Sequence, residues 1–242
     1  MPRFFSPILN EPAALLVGAQ YVVRVAAVCG SLAALGACAP QTLGRESLSS
    51  APQLRAVDDK SAPFQFKDAS ASFSSYSKIL IDPVSQYSGA DAQFGAVSPA
   101  DRQAIADYMF EVFSQTLGKA HTLTSVPGPD TLRLHLTLTG VETSTPLISA
   151  VSRVVPAGLA VNAGLAAAGE KGTFLGSISY AVEMHDAKTG RLLYAYVTTR
   201  SANALDISSS FGPLDATRAG ARIGADELLA RLAKLGVPAP GR

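Results

Sequence analysis

The sequence predicts an α+β fold: one mostly antiparallel sheet of about five strands, two amphipathic helices packed on one face, and an apolar helical insert. Three observations carry this. Residues 131–139 and 177–185 alternate apolar and polar side chains with the period of a strand, the pattern of a sheet covered on one side. Residues 98–118 and about 213–235 place apolar side chains three and four apart, the period of a helix. The elements follow one another as β-α-β-β-insert-β-β-α, which a single layered domain accommodates.

In chain order, Lys78–Val84 is an apolar run ended by Asp82-Pro83, a buried strand that leads into a loop from Gln86 to Val97. Ser98 is placed to cap the first helix, Pro99 occupies its first position and Asp101 its first turn. Ile105, Tyr108, Met109, Val112, Phe113 and Leu117 form its apolar face. Two strands flank the turn Pro127–Asp130. In the second, Leu132, Leu134, Leu136 and Leu138 point to the core, and Thr131, Arg133, His135, Thr137 and Thr139 to water. Ile178, Tyr180, Val182 and Met184 repeat this alternation opposite Ser179, Ala181, Glu183 and His185. Asp186-Ala187-Lys188-Thr189-Gly190 then supplies the turn of a hairpin. In the last helix Leu228, Leu232 and Leu235 share a face, and Gly220 and Gly224 allow a close approach to the sheet.

The N-terminal region has a different character. Arg24 precedes the apolar run Val25–Leu35, too short for a stable span and right for an export signal. The run ends in Leu35-Gly36-Ala37-Cys38, which resembles the lipobox of bacterial lipoproteins. The resemblance implies cleavage before Cys38, acylation of its thiol and new amino group, and a membrane anchor facing the periplasm. Ala39, rather than Asp, after the cysteine implies the outer membrane. Residues 1–37 are then a signal peptide, with a true start near residue 22. Residues 38–75, rich in Ser, Ala, Pro, Gln and Asp, read as a lipidated flexible tether with a reach of about 35 Å. Phe64, Phe66 and Phe73 mark where its last part lies against the domain surface. Residues 76–242 form the periplasmic domain.

Removing residues 1–37 takes away Arg3, Arg24 and Glu11, leaving 18 of the 20 Lys and Arg and 18 of the 19 Asp and Glu. A neutral chain without a basic cluster lacks the charge that drives nucleic-acid binding. Both cysteines are accounted for, Cys29 within the signal and Cys38 by its lipid, so the domain relies on an ordinary core. No cofactor is expected beyond the covalent lipid on Cys38.

Residues 145–168 carry a single charge, Arg153, and small residues dominate after Pro156. Arg153, Pro156 and Asn162 make a membrane span costly. Val154, Val155, Gly158, Leu159, Val161, Gly164 and Leu165 form instead a candidate interaction surface, for an envelope protein or a second copy of the chain. The alternatives are helical packing on the domain and contact with lipid.

His121, His135 and His185 are isolated in sequence, and metal-ligand spacings, nucleophile elbows and phosphate loops are absent. Glu183, His185 and Asp186 read as solvated charges beside a turn, so no enzyme is expected. The element order resembles the small periplasmic domain of outer-membrane lipoproteins of the curli-secretion and penicillin-binding-protein-activator types. Lys78–Val84 and Gly176–Leu193, with the Asp-x-x-Thr-Gly hairpin, resemble an uncharacterised lipoprotein family of unknown function. The expected role is an accessory or assembly module of the cell envelope. The rivals are a carrier of lipid or another apolar ligand, and an envelope hydrolase whose site gathers residues scattered in sequence, such as His121 or His135 with a carboxylate.

Overall fold

A computed structural model describes residues 43–143, 176–201 and 214–239. All of them belong to one compact unit, Leu43–Arg242. Among the described residues, eight strands form one open sheet: β1 (Arg55–Ala56), β2 (Phe64–Lys67), β3 (Lys78–Ile81), β4 (Ser85–Gln86), β5 (Thr122–Leu123), β6 (Thr131–Glu142), β7 (Ser177–Asp186) and β8 (Leu192–Ser201). The helices are α1 (Pro99–Gly118) and α2 (Asp215–Leu235). The spatial order is β1-β2-β8-β7-β6-β3-β5, with β4 also beside β6.

The class is α+β as expected, but the sheet is larger and more mixed than five mostly antiparallel strands. The long strands β6, β7 and β8 pair antiparallel, and β2 and β1 extend that half. The other half is parallel: β3 pairs with β6 and β5, and β4 with β6. The physical reason is the crossover: α1 returns the chain to the start of the sheet, so the strand after it runs parallel to β3.

The tether expectation for residues 38–75 is corrected from Leu43 onward. β2 pairs with β8 along Phe64–Lys67, and β1 caps β2 at the sheet edge. Phe73 is buried in the main core, while Phe64 and Phe66 pack on a second apolar cluster. Polar composition concealed these contacts, because backbone pairing at an edge needs no apolar side chains.

α1 and α2 cover one face of the sheet. Ile105, Met109, Phe113 and Leu117 of α1 and Leu228 and Leu232 of α2 meet Leu132, Leu134, Leu136, Leu138, Tyr180 and Val182 in one core. The Ser98 cap is in place: its Oγ accepts the Asp101 amide at 3.1 Å. The small face of α2 sets its distance from the sheet. A Cβ on Gly220 would stand 2.7 Å from the Arg200 carbonyl oxygen and 2.9 Å from Ile178 Cγ2. Because backbone cannot move aside cheaply, Gly220→Val is expected to lose about 1–3 kcal/mol in chemical denaturation despite its better helix propensity.

The opposite face is covered as well, against the expectation of a wet side. Leu43, Leu48 and Leu54 lie over Ala181, Ala195 and Val197, with Tyr87 beside them. Thr139 and Glu183 are therefore buried rather than solvated, and Thr131 and Ser179 on the same face are buried as well. We refer to Leu43–Leu54 as the strap. No helix among the described residues is long and apolar enough to cross a membrane.

Candidate functional site

The polar residues beneath and beside the strap gather into one cluster. β6 presents Arg133, His135 and Thr137 on the strap face, and β7 presents Glu183 and His185 on the same face. Antiparallel register sets Arg133 opposite His185 and His135 opposite Glu183. The diagonal pair, His135 and His185, stack with ring centroids 6.4 Å apart and planes 13° from parallel. Asp82, just past the end of β3, reaches between the two β6 side chains.

Asp82 is 9 % exposed. It accepts from Arg133 Nε at 2.7 Å and Nη2 at 2.9 Å, a bidentate pair, and from His135 Nδ1 at 2.6 Å. Burial pushes its carboxyl upward, but the Arg133 and His135 hydrogen bonds together outweigh that, and the group is held below the usual carboxylate value. Because an ionised carboxylate only accepts, the His135 nitrogen facing Asp82, Nδ1, is the one that carries a proton.

Glu183 is buried, 3 % exposed, and anchors the strap: Ser49 Oγ and the Ser50 amide each donate to its Oε1 at 2.7 Å. Two further acceptors hold the start of the strap. Asp91 Oδ2 takes the amides of Arg45 and Glu46 at 2.8 and 3.1 Å, and the Tyr87 hydroxyl oxygen accepts the Ser47 amide at 2.8 Å. Asp186 serves the hairpin turn, accepting the Lys188 and Thr189 amides and the Thr189 hydroxyl. The expectation that Glu183, His185 and Asp186 are solvated charges is thus corrected, because the strap removes Glu183 from water and each carboxylate has fixed donors.

His185 is half-buried, with Nε2 enclosed and no hydrogen-bond partner. Burial lowers it below the usual imidazole value, against the pull of Glu183 and with the repulsion of His135 and Arg133. The unfolded chain therefore binds this proton first as pH falls. The stability held by a neutral His185 is complete above its unfolded value of 6.5 and is lost as pH drops through the lower folded value. His185→Gln is expected to flatten that part of the decline in melting temperature as pH falls below 6.5, read by thermal denaturation across pH.

Two clefts open on this face and share Ser49 and His135 in their walls. One, of about 170 Å³, adds Arg133, His185 and the Asp186–Gly190 turn. The other, of about 260 Å³, adds Ser85, Tyr87, Thr137 and Glu183. Both are below the size of common small-molecule pockets and suit a side chain or a small polar group. A shallower apolar cleft of about 450 Å³ lies beyond Asp82, between α1, β3 and β5, with Leu80, Ile81, Phe110 and Leu123 in its walls. No group of three or more His, Cys, Asp or Glu arranged to hold a metal ion occurs among the described residues.

The sequence names His135 as a group to watch and asks for a carboxylate beside it; the structure supplies Asp82. His121 lies elsewhere, buried against the Pro238 carbonyl oxygen at 3.1 Å. Asp82 itself is legible only as the residue before Pro83, and Ser49 carries no signal at all. Leu35, Gly36, Ala37 and Cys38 lie outside the described residues. So do Val154, Val155, Gly158, Leu159, Val161, Gly164 and Leu165, with the whole insert 145–168.

Comparison with solved structures finds remote likenesses on which nothing is built. A PelC dodecamer from Paraburkholderia phytofirmans shares 10 % identity over 72 % of this chain and 95 % of its own, with a TM-score of 0.38. Protein XCC0632 from Xanthomonas campestris, of family DUF330, shares 10 % identity over 70 % of this chain and 91 % of its own, with a TM-score of 0.37. Nothing functional rests on likenesses this low. No curated protein matches. The family model described as "Protein of unknown function (DUF3313)" matches residues 45–228, from the strap through most of α2, and the chain belongs to that family.

Proposed function

We propose that this chain is a lipid-anchored accessory or binding module of a bacterial cell envelope, held on the periplasmic side of the outer membrane by acylated Cys38. The observation that carries the reading is the lipobox-like Leu35-Gly36-Ala37-Cys38 at the end of an apolar run of signal length. One acyl chain binds membranes only reversibly, and the several chains of a lipoprotein cysteine anchor it stably. Ala39 after the cysteine supports the outer membrane. The module works by binding an envelope protein or a second copy of itself, without catalysis and without nucleic acid. Its neutral balance of charges after Cys38 agrees with this.

Fractionation of producing cells tests the anchor. The native chain is expected in the membrane fraction, released by detergent and not by salt. Cys38→Ala is expected to remove the acyl mass and block the cut before residue 38, leaving a longer precursor that keeps the Val25–Leu35 run. A Cys38→Ala chain of the same length as the native one contradicts the reading.

A second reading has one observation in its favour. Ser49 and His135 line the same two clefts, and Asp82 hydrogen-bonds His135 from behind, so three distant parts of the chain meet as an envelope hydrolase would require. The Ser49 hydroxyl, however, donates to Glu183 rather than to an imidazole. Hydrolysis of small esters or amides that His135→Asn abolishes would favour this reading over the first.

A further inference from the structure

We propose that the end of the sheet at Leu43–Ser47 is the membrane-facing surface of the domain, docked against lipid headgroups by a leash too short to let it turn away. This rests on acylation of Cys38. The first described residues are held without slack. Leu43 is buried, and a Cβ on Gly44 would lie 3.1 Å from the Asp91 carbonyl oxygen and 3.3 Å from Thr139 Cβ. The next three amides are each held, Arg45 and Glu46 by Asp91 and Ser47 by Tyr87. From Cys38 to Leu43 the chain spans five residues, about 17 Å at full extension. A domain of this length is about 40 Å across. The anchor therefore keeps Leu43 near the headgroups, while nothing in the leash holds the far end of the sheet there.

The register identifies both ends. Gly44 lies on Thr139, three residues before the end of β6, and Glu142 of β6 pairs with Ser177 at the start of β7. The Asp186–Gly190 turn is at the other end, nine residues or about 30 Å along β7. The near end is also where the chain leaves β6 toward, and returns to β7 from, the most apolar stretch of sequence after Cys38, 145–168. Lipid is the occupant that the leash length and the point of chain entry select.

The test uses full-length acylated protein in vesicles of phosphatidylethanolamine and phosphatidylglycerol containing a headgroup spin-labelled lipid. The mature chain holds no free thiol once Cys29 is removed and Cys38 acylated, so Glu46→Cys and Lys188→Cys can each carry one fluorophore; both positions are exposed. Quenching several-fold stronger at position 46 than at 188 is expected. A Gly/Ser linker of about twenty residues between Thr42 and Leu43 adds about 25 Å of r.m.s. reach and is expected to remove most of that difference. Equal quenching in the native chain, with acyl mass confirmed, overturns the orientation alone. Absence of acyl mass on Cys38 overturns the proposed function and the orientation with it.

Discussion

Truncating Phe113 to alanine is expected to lower stability by about 4 kcal/mol. Phe113 is fully buried on the sheet-facing side of α1 and meets the Tyr180 ring edge-on, with centroids 5.7 Å apart. Tyr180 is itself fully buried, beneath Gly224 of α2. The cavity thus opens where both helices and the central strands meet, and little can collapse into it. For a domain of this size the melting temperature should fall by about 10 °C. A loss below about 1 kcal/mol in denaturant titration would show that α1 packs less tightly than described.

Replacing Glu183 by alanine is the second large effect, about 3 kcal/mol, and it acts on a different part of the structure. The substitution leaves the Ser50 amide and the Ser49 hydroxyl without their shared acceptor beneath the strap. The strap should loosen while the helix-covered core holds. Hydrogen exchange at the Ser50 amide is expected to quicken greatly, with β6 amides changed only as far as global stability falls. Glu183→Gln keeps one acceptor oxygen and should cost less. Uniform exchange in the alanine variant would mean that strap and core unfold together, contrary to the separate anchoring described here.

The sequence and the structure agree where one element carries its own signal. Ser98, Pro99 and Asp101 mark the start of α1, and Asp186 and Gly190 mark the β7–β8 turn; both are where the local chemistry places them. They part where burial depends on a distant segment. Thr131, Thr137, Thr139 and Glu183 alternate with leucines and valines as a wet face would, and distant segments make that face interior: the strap over Thr139 and Glu183, Ser85 of β4 beside Thr137, and the Gly128 turn beside Thr131. Leu43, Leu48 and Leu54 are three apolar side chains in a polar stretch, too sparse for either period, yet they close the second core. The two-residue strands β1, β4 and β5 are set by pairing rather than by side-chain pattern. The Asp82–His135 pair joins residues 53 apart in the chain and has no spacing to reveal it.

The central claim is the lipid anchor, since it fixes compartment, partner surface and orientation together. Intact-mass analysis of the protein purified from the membrane fraction tests it most directly. The expected species begins at Cys38 and carries the added mass of a thioether diacylglycerol and an amide-linked acyl chain. A chain with Cys38 unmodified, or one that still carries the residues before it, would rule the anchor out.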